Sequence, residues 1–182
     1  MLKMLFQKCI EFNIDFNAQD KGQRTAFHLA CRNGHSKIAE MLIQKSAEFN
    51  INLNDKDALG RTAFHLACGQ GNSKIAEMLM QKSAEINIKL NDKGFLGRTA
   101  FHLACQNGRS KVSEMLIQRS AEFNIKLNDK DDNGKTAFHL ASKNGHSEIA
   151  GMLRIKKNNM AGGRYTDVIS AASCSILRTQ KI

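Results

Sequence analysis

The hexapeptide Thr-Ala-Phe-His-Leu-Ala occurs four times, at Thr25, Thr62, Thr99 and Thr136, each copy 37 residues after the last. A fixed period of this size means a stack of supersecondary units, each burying its apolar face against the next, rather than one globular core. One period reads as two helices and a return. Thr62 suits a helix N-cap, because its hydroxyl accepts from an orphan backbone N–H. Ala63 to Gln70 then carries Phe64, Leu66 and Ala67 as its apolar positions, and Gly71 ends the helix, as Gly34, Gly108 and Gly145 do elsewhere. Ser73 opens a second helix with Ile75, Met78, Leu79 and Ile86 on one face, as Ile38, Met41, Leu42 and Phe49 are in the repeat before. Ile88 and Leu90 alternate, and Asn91, Asp92 and Lys93 lead to Gly97, which predicts an extended return segment and a tight turn.

These residues resemble the ankyrin repeat, whose signature Thr-Pro-Leu-His-x-Ala stands here as Thr-Ala-Phe-His-Leu-Ala. The resemblance spans residues 1 to about 157. It implies an all-α, ankyrin-type solenoid of stacked helix–turn–helix repeats joined by hairpin-like loops. The expected units are a partial repeat over 1–23 (second helix and loop only), full repeats over 24–60, 61–97 and 98–134, a terminal repeat over 135–159, and a basic tail over 160–182 whose composition predicts disorder. Because the chain begins inside a repeat, we expect either a longer array or an end covered by another chain. Three departures from the family pattern stand out. Ala replaces Pro at the first helical position, removing a residue whose fixed φ suits it. The period exceeds the usual ~33 residues, and the four extra residues near Ser-Ala-Glu-Phe-Asn predict a second helix longer by one turn, with Phe49 and Phe123 on its apolar face. In the first loop Gly22 falls one place early relative to Gly60, Gly97 and Gly134, which predicts a different shape there.

Charge narrows the function classes. The formal net charge is +10, half of it in residues 154–182, where Arg154, Lys156, Lys157, Arg164, Arg178 and Lys181 face Asp167 alone. This balance favours acidic partners on encounter. It keeps open a nucleic-acid or anionic-membrane contact through the basic surface and tail. Against that alternative, the chain has one Tyr, no Trp and no basic run interleaved with aromatics. No apolar run reaches the ~20 residues needed to span a bilayer. Cys31, Cys68 and Cys105 share one slot that Ser142 fills in the last repeat, so the slot requires small volume. Helices pack about 8–10 Å apart, too far for equivalent cysteines to pair. Reduced thiols point to a cytoplasmic or nuclear chain.

The constellations that could carry chemistry read as structure. His28, His65, His102 and His139 lie one repeat apart, too distant to share an ion bound at about 2 Å; the resemblance implies that they brace the loops. The pairs His28–Cys31, His65–Cys68 and His102–Cys105 lack an exposed thiol and an orienting third group. Asp129, Asp131, Asp132, Asn133 and Gly134 form an inter-repeat turn without the closing Glu of a calcium loop. No catalytic residue, metal ligand or cofactor is expected.

Residues Arg24–Glu48 and Arg61–Glu85 are identical at 21 of 25 positions, so the variable positions are those that stacking leaves free. They fall at the loop tips (Leu59, Phe95, Leu96, Asp132, Asn133) and at the ends of the first helices (Arg32, Gln70, Gln106, Arg109, Lys143). The resemblance implies binding through the same surfaces. The expected function is a non-catalytic scaffold or adaptor whose partner, another protein, meets an apolar cluster at Leu59, Phe95 and Leu96. Thr25, Thr62, Thr99 and Thr136, with the four histidines, are expected to be structural.

Overall fold

The computed structural model describes residues 7–8, 11–12 and 14–161. Each hexapeptide opens a short helix: α1 (Ala26–Asn33), α3 (Ala63–Gln70), α5 (Ala100–Gln106) and α7 (Ala137–Lys143). A second helix follows each: α2 (Ser36–Gln44), α4 (Ser73–Lys82), α6 (Ser110–Gln118) and α8 (Ser147–Ala161). The first helices pack in one row and the second helices in another, and each first helix also packs on its own second helix. The seam between the rows is the core. Phe27, Ile75, Leu79, Leu116 and Ile149 are among its fully buried side chains, and Cys31, Cys68 and Cys105 run through it as a buried column. The fold is all-α, the ankyrin-type solenoid that the resemblance implies.

The Thr-x-x-His spacing explains both the start of each first helix and how the first three are tied to backbone further along the chain. Thr62 is extended (φ −82°, ψ 169°), and its N–H donates to His65 Nδ1 at 3.2 Å, closing a capping box in which His takes the usual place of Glu. A backbone N–H can only donate, so Nδ1 is the bare nitrogen and Nε2 carries the proton. That Nε2–H reaches a carbonyl further along the chain: His28 to Asp55 O at 2.9 Å, His65 to Arg98 O at 3.1 Å and His102 to Asp129 O at 2.9 Å.

The second helices end sooner than the periodicity predicts. Ser46, Ser83 and Ser120 donate their hydroxyls to the carbonyls three residues back, Ile43 O (2.8 Å), Met80 O (2.7 Å) and Ile117 O (2.9 Å). Their backbone N–H groups point to the same carbonyls. This back-bonding tightens the chain and interrupts the α pattern. The four extra residues therefore form a detached turn rather than a continuation. Asn50, Asn87 and Asn124 close it at φ 50°, 51° and 50°, and the Ile51 N–H then returns to Ser46 O at 2.9 Å. In α8, Lys157 and Ala161 stand where the other repeats have Ser and Asn, and the helix runs unbroken for 15 residues. It passes the expected repeat end at 159; residues 162–182 of the expected tail lie outside the described residues.

Asparagines lace the return segments together. Asn17 donates through Nδ2 to Asn50 O at 2.9 Å and accepts through Oδ1 from the Asn52 N–H at 2.9 Å. Asn54 treats Asn87 O and the Lys89 N–H in the same way, and Asn91 treats Asn124 O and the Lys126 N–H likewise. Each rung turns backbone groups that would otherwise compete for water into inter-repeat ties.

Candidate partner-binding surface

The loop tips are built on an aspartate. Asp57 Oδ1 accepts from the Leu59 and Arg61 N–H groups, at 3.0 and 2.9 Å, and Oδ2 takes the Arg61 guanidinium at 2.7 Å. Burial pushes the Asp57 carboxyl up, but the hydrogen bonds from Arg61 outweigh it and hold it below the ordinary range. The first tip repeats this geometry. Asp20 takes the Gly22 and Arg24 N–H groups, at 2.8 and 2.9 Å, and the Arg24 side chain lowers its carboxyl to about 2. Gln23 adopts φ 56° where later tips have glycine. The early Gly22 therefore does not reshape the first loop; the Asp20 turn dictates its form, and Gln23 bears the left-handed conformation.

The third tip is the exception. Gly94 replaces the aspartate, and Phe95–Gly97 form a 3-10 turn with Leu96 at φ 58°. Leu in this region is strained, costing about 1–2 kcal/mol. Arg98, without an aspartate in its own tip, reaches Asp131 Oδ2 of the next tip at 3.1 Å and Gln106 Oε1 at 2.9 Å. Asp131 is free to take it because the fourth repeat has Lys135 in place of Arg. Gly97 is required twice over: its φ is 65°, and a Cβ there would fall 2.0 Å from Asp132 Oδ1.

This rearrangement leaves Phe95 58% exposed beside Leu59 at 44%. The two side chains, with Arg61, Arg98, Leu103, Gln106 and Asn107, line a cleft of about 240 Å³ between neighbouring tips and α5. It is small beside the ~300–1,000 Å³ of a typical small-molecule site. Leu96 is half-buried, and its carbonyl accepts from the Asp132 N–H at 3.0 Å. Asp132 and Asn133 are exposed on the fourth tip, and Arg32, Gln70 and Lys143 are exposed at the ends of α1, α3 and α7. Arg109 is half-buried; its Nε donates to Gly69 O at 3.1 Å, tying the third repeat to the second.

The remaining chemistry is closed. Burial alone raises the Cys31 thiol well beyond its ordinary value and pushes Cys105 up to about 12, despite a hydrogen bond to Ser113. Thiols so held present no thiolate at neutral pH. Burial also lowers His65 to about 4, so its imidazole is neutral. Among the described residues no group of three or more His, Cys, Asp or Glu is placed to hold a metal ion. None of their helices is long and apolar enough to cross a membrane.

Sequence reasoning missed the asparagine rungs and the Asp–Arg tips. Both carried a signal. Asn17, Asn54, Asn91 and Asn128 recur at the repeat spacing, as do Asp20, Asp57 and Asp131, with Gly94 as the break. The family model described as ankyrin repeats (3 copies) matches residues 1–91 and 87–161. No curated protein matches the chain.

Proposed function

Since the chain belongs to the ankyrin repeat family, we propose that it is a scaffold or adaptor whose partner protein docks across the second and third loop tips and the adjoining first-helix surface. It is a non-catalytic repeat protein of a kind that mediates protein–protein contacts. The observation that carries the docking surface is the exposed pair Leu59 and Phe95, set side by side where loop tips are ordinarily polar. Phe95 is the anchor, since aromatic side chains in a small desolvated cleft dominate interface energies. Gln70 and Asn107 on one side and Asp132 and Asn133 on the other supply a polar rim. Arg32 and Lys143, exposed at the first-helix ends, add attraction for an acidic partner. We place the chain in the cytoplasm or nucleus, because its buried, unpaired Cys31, Cys68 and Cys105 suit a reducing compartment.

The test is capture from source-cell lysate with the intact chain, a Leu59→Ser/Phe95→Ser variant and a chain ending at Ala161. Both substituted side chains are exposed, so the variant keeps its fold. A protein retained by the intact and shortened chains and lost with the variant supports the surface. Capture of nucleic acid or lipid that disappears with the tail, while the variant retains everything, moves the function to the basic tail.

A further inference from the structure

Two of the three internal interfaces share one register, in which an asparagine of one return segment and the histidine of the first helix after it read the next return segment; in the interface between them Asn54 keeps its place, and His65 turns to Arg98 O instead. Asn17 holds Asn50 O and the Asn52 N–H, while His28 holds Asp55 O. Asn91 and His102 hold Asn124 O, the Lys126 N–H and Asp129 O in the same register, at 2.9, 3.2 and 2.9 Å. What is read is a six-residue segment, 50–55 or 124–129. Its first carbonyl, third N–H and sixth carbonyl are bonded. In the segment covered on both sides, the second and fourth side chains, Ile51 and Leu53, are buried to 6% and 7% exposure.

The same pair occurs a fourth time as Asn128 and His139. His139 Nδ1 accepts from the Thr136 N–H at 3.1 Å, so its Nε2 carries the proton, as in the other repeats. Neither that Nε2 nor the Asn128 amide has a hydrogen-bond partner among the described residues. In contrast to His28, His65 and His102, His139 is exposed. Asn128 and His139 line one cavity of about 370 Å³ with Leu127, Phe138 and Leu153. Arg154, Lys156 and Lys157 stand on its α8 wall, and no acidic side chain lines it. The chain itself does not turn back over the cavity within the described residues, because α8 lacks the Ser and Asn that break the earlier helices.

We propose that this end of the stack is a second docking site, for an acidic extended segment of a partner protein with aliphatic side chains at alternate positions. Asn128 takes the first carbonyl and third N–H of the segment, and His139 takes the sixth carbonyl. The two aliphatic side chains fill the cavity as Ile51 and Leu53 fill the interfaces between repeats. The three cations on α8 select against the chain's own residues 162–182, which hold Arg164, Arg178 and Lys181 against Asp167. In that segment the aliphatic residues also stand adjacent, as Val168–Ile169 and Ile176–Leu177, rather than at alternate positions. The site is independent of the tip cleft.

The probe is a fluorescent hexapeptide, Asn-Ile-Glu-Leu-Asp-Asp, titrated against the full chain by anisotropy. Binding is expected to weaken with added salt, to fall at least about tenfold with Asn128→Ala, which removes two hydrogen bonds, and to fall again with Lys156→Glu/Lys157→Glu. It persists with Leu59→Ser/Phe95→Ser. A peptide with Asp in place of Ile does not bind. Asn128 is exposed, so an unchanged thermal transition for Asn128→Ala shows that the loss is local. Affinity unaffected by Asn128→Ala overturns the proposal. So does binding that appears only when residues 162–182 are removed, which would make the chain's own tail the occupant. Loss with the tip variant alone would assign the peptide to the tip cleft and likewise overturn the site.

Discussion

His65 is 1% exposed and held neutral, with burial lowering its pKa to about 4. An imidazole in the unfolded chain titrates near 6.5, so between those values the unfolded state binds a proton that the folded state refuses. Stability therefore falls as pH falls through this window. His102 shifts in the same direction, again chiefly through burial. The urea midpoint should be lower at pH 5 than at pH 7.5, with His65 alone accounting for roughly 2 kcal/mol. His65→Gln should shrink the difference between the two pH values, whatever it does to absolute stability; an equal difference in both proteins would refute the assignment. The carboxylates of Asp57 and Asp131 act in a separate, more acidic window. Both are held below the ordinary range by hydrogen bonds that outweigh the effect of burial, so their contribution is lost only as pH drops beneath that range. The two carboxylates differ in origin: Asp57 is paired within its own tip, and Asp131 borrows Arg98 from the tip before it.

The second helix shows how a local device overrides a periodic pattern. Ile38, Met41, Leu42 and Phe49 share a helical face in sequence, and Phe49 does pack against the core. The detached turn still brings Phe49 against the core, as a continuous helix would be expected to, so hydrophobic periodicity does not register the break. The break was written in Ser46 and Asn50, polar residues whose meaning depends on a carbonyl three residues back and on a left-handed φ. The first helices were fully legible because their signals are local: Thr at the cap and Gly at the stop bracket α3 at Ala63 and Gln70. A direct check lies at Asn87, which sits at φ 51°. Asn87→Ala should lower unfolding stability by about 1 kcal/mol, while Asn87→Gly should change it by only a few tenths. Urea denaturation of the two variants measures this, and equal effects would mean that the turn is not closed by backbone strain at this residue.

Across the described residues, the main helix contacts join a repeat to its immediate neighbours, so stability is distributed along the stack. Hydrogen exchange should be slowest in α3 and α5, which are covered on both sides, and faster in α7, where His139 and Asn128 meet no further repeat among the described residues. Uniform protection from α1 to α8 would contradict a stack held by nearest-neighbour contacts. The tip cleft could be read in part from sequence, because Leu59 and Phe95 break a polar pattern. The end site could not, because Asn128 and His139 look identical to their partnered equivalents and differ only in what lies beyond them. The near-identity of successive rungs also bears on the gene. Loss or duplication of a whole 37-residue unit rejoins each asparagine to an equivalent backbone segment. Folding therefore places little constraint on how many units the chain carries. The exception is the join between the third and fourth tips, where Arg98 depends on Asp131. Lengthening or shortening by recombination is tolerated elsewhere in the array, but a cut between those two residues strands a cation on one side and a carboxylate on the other.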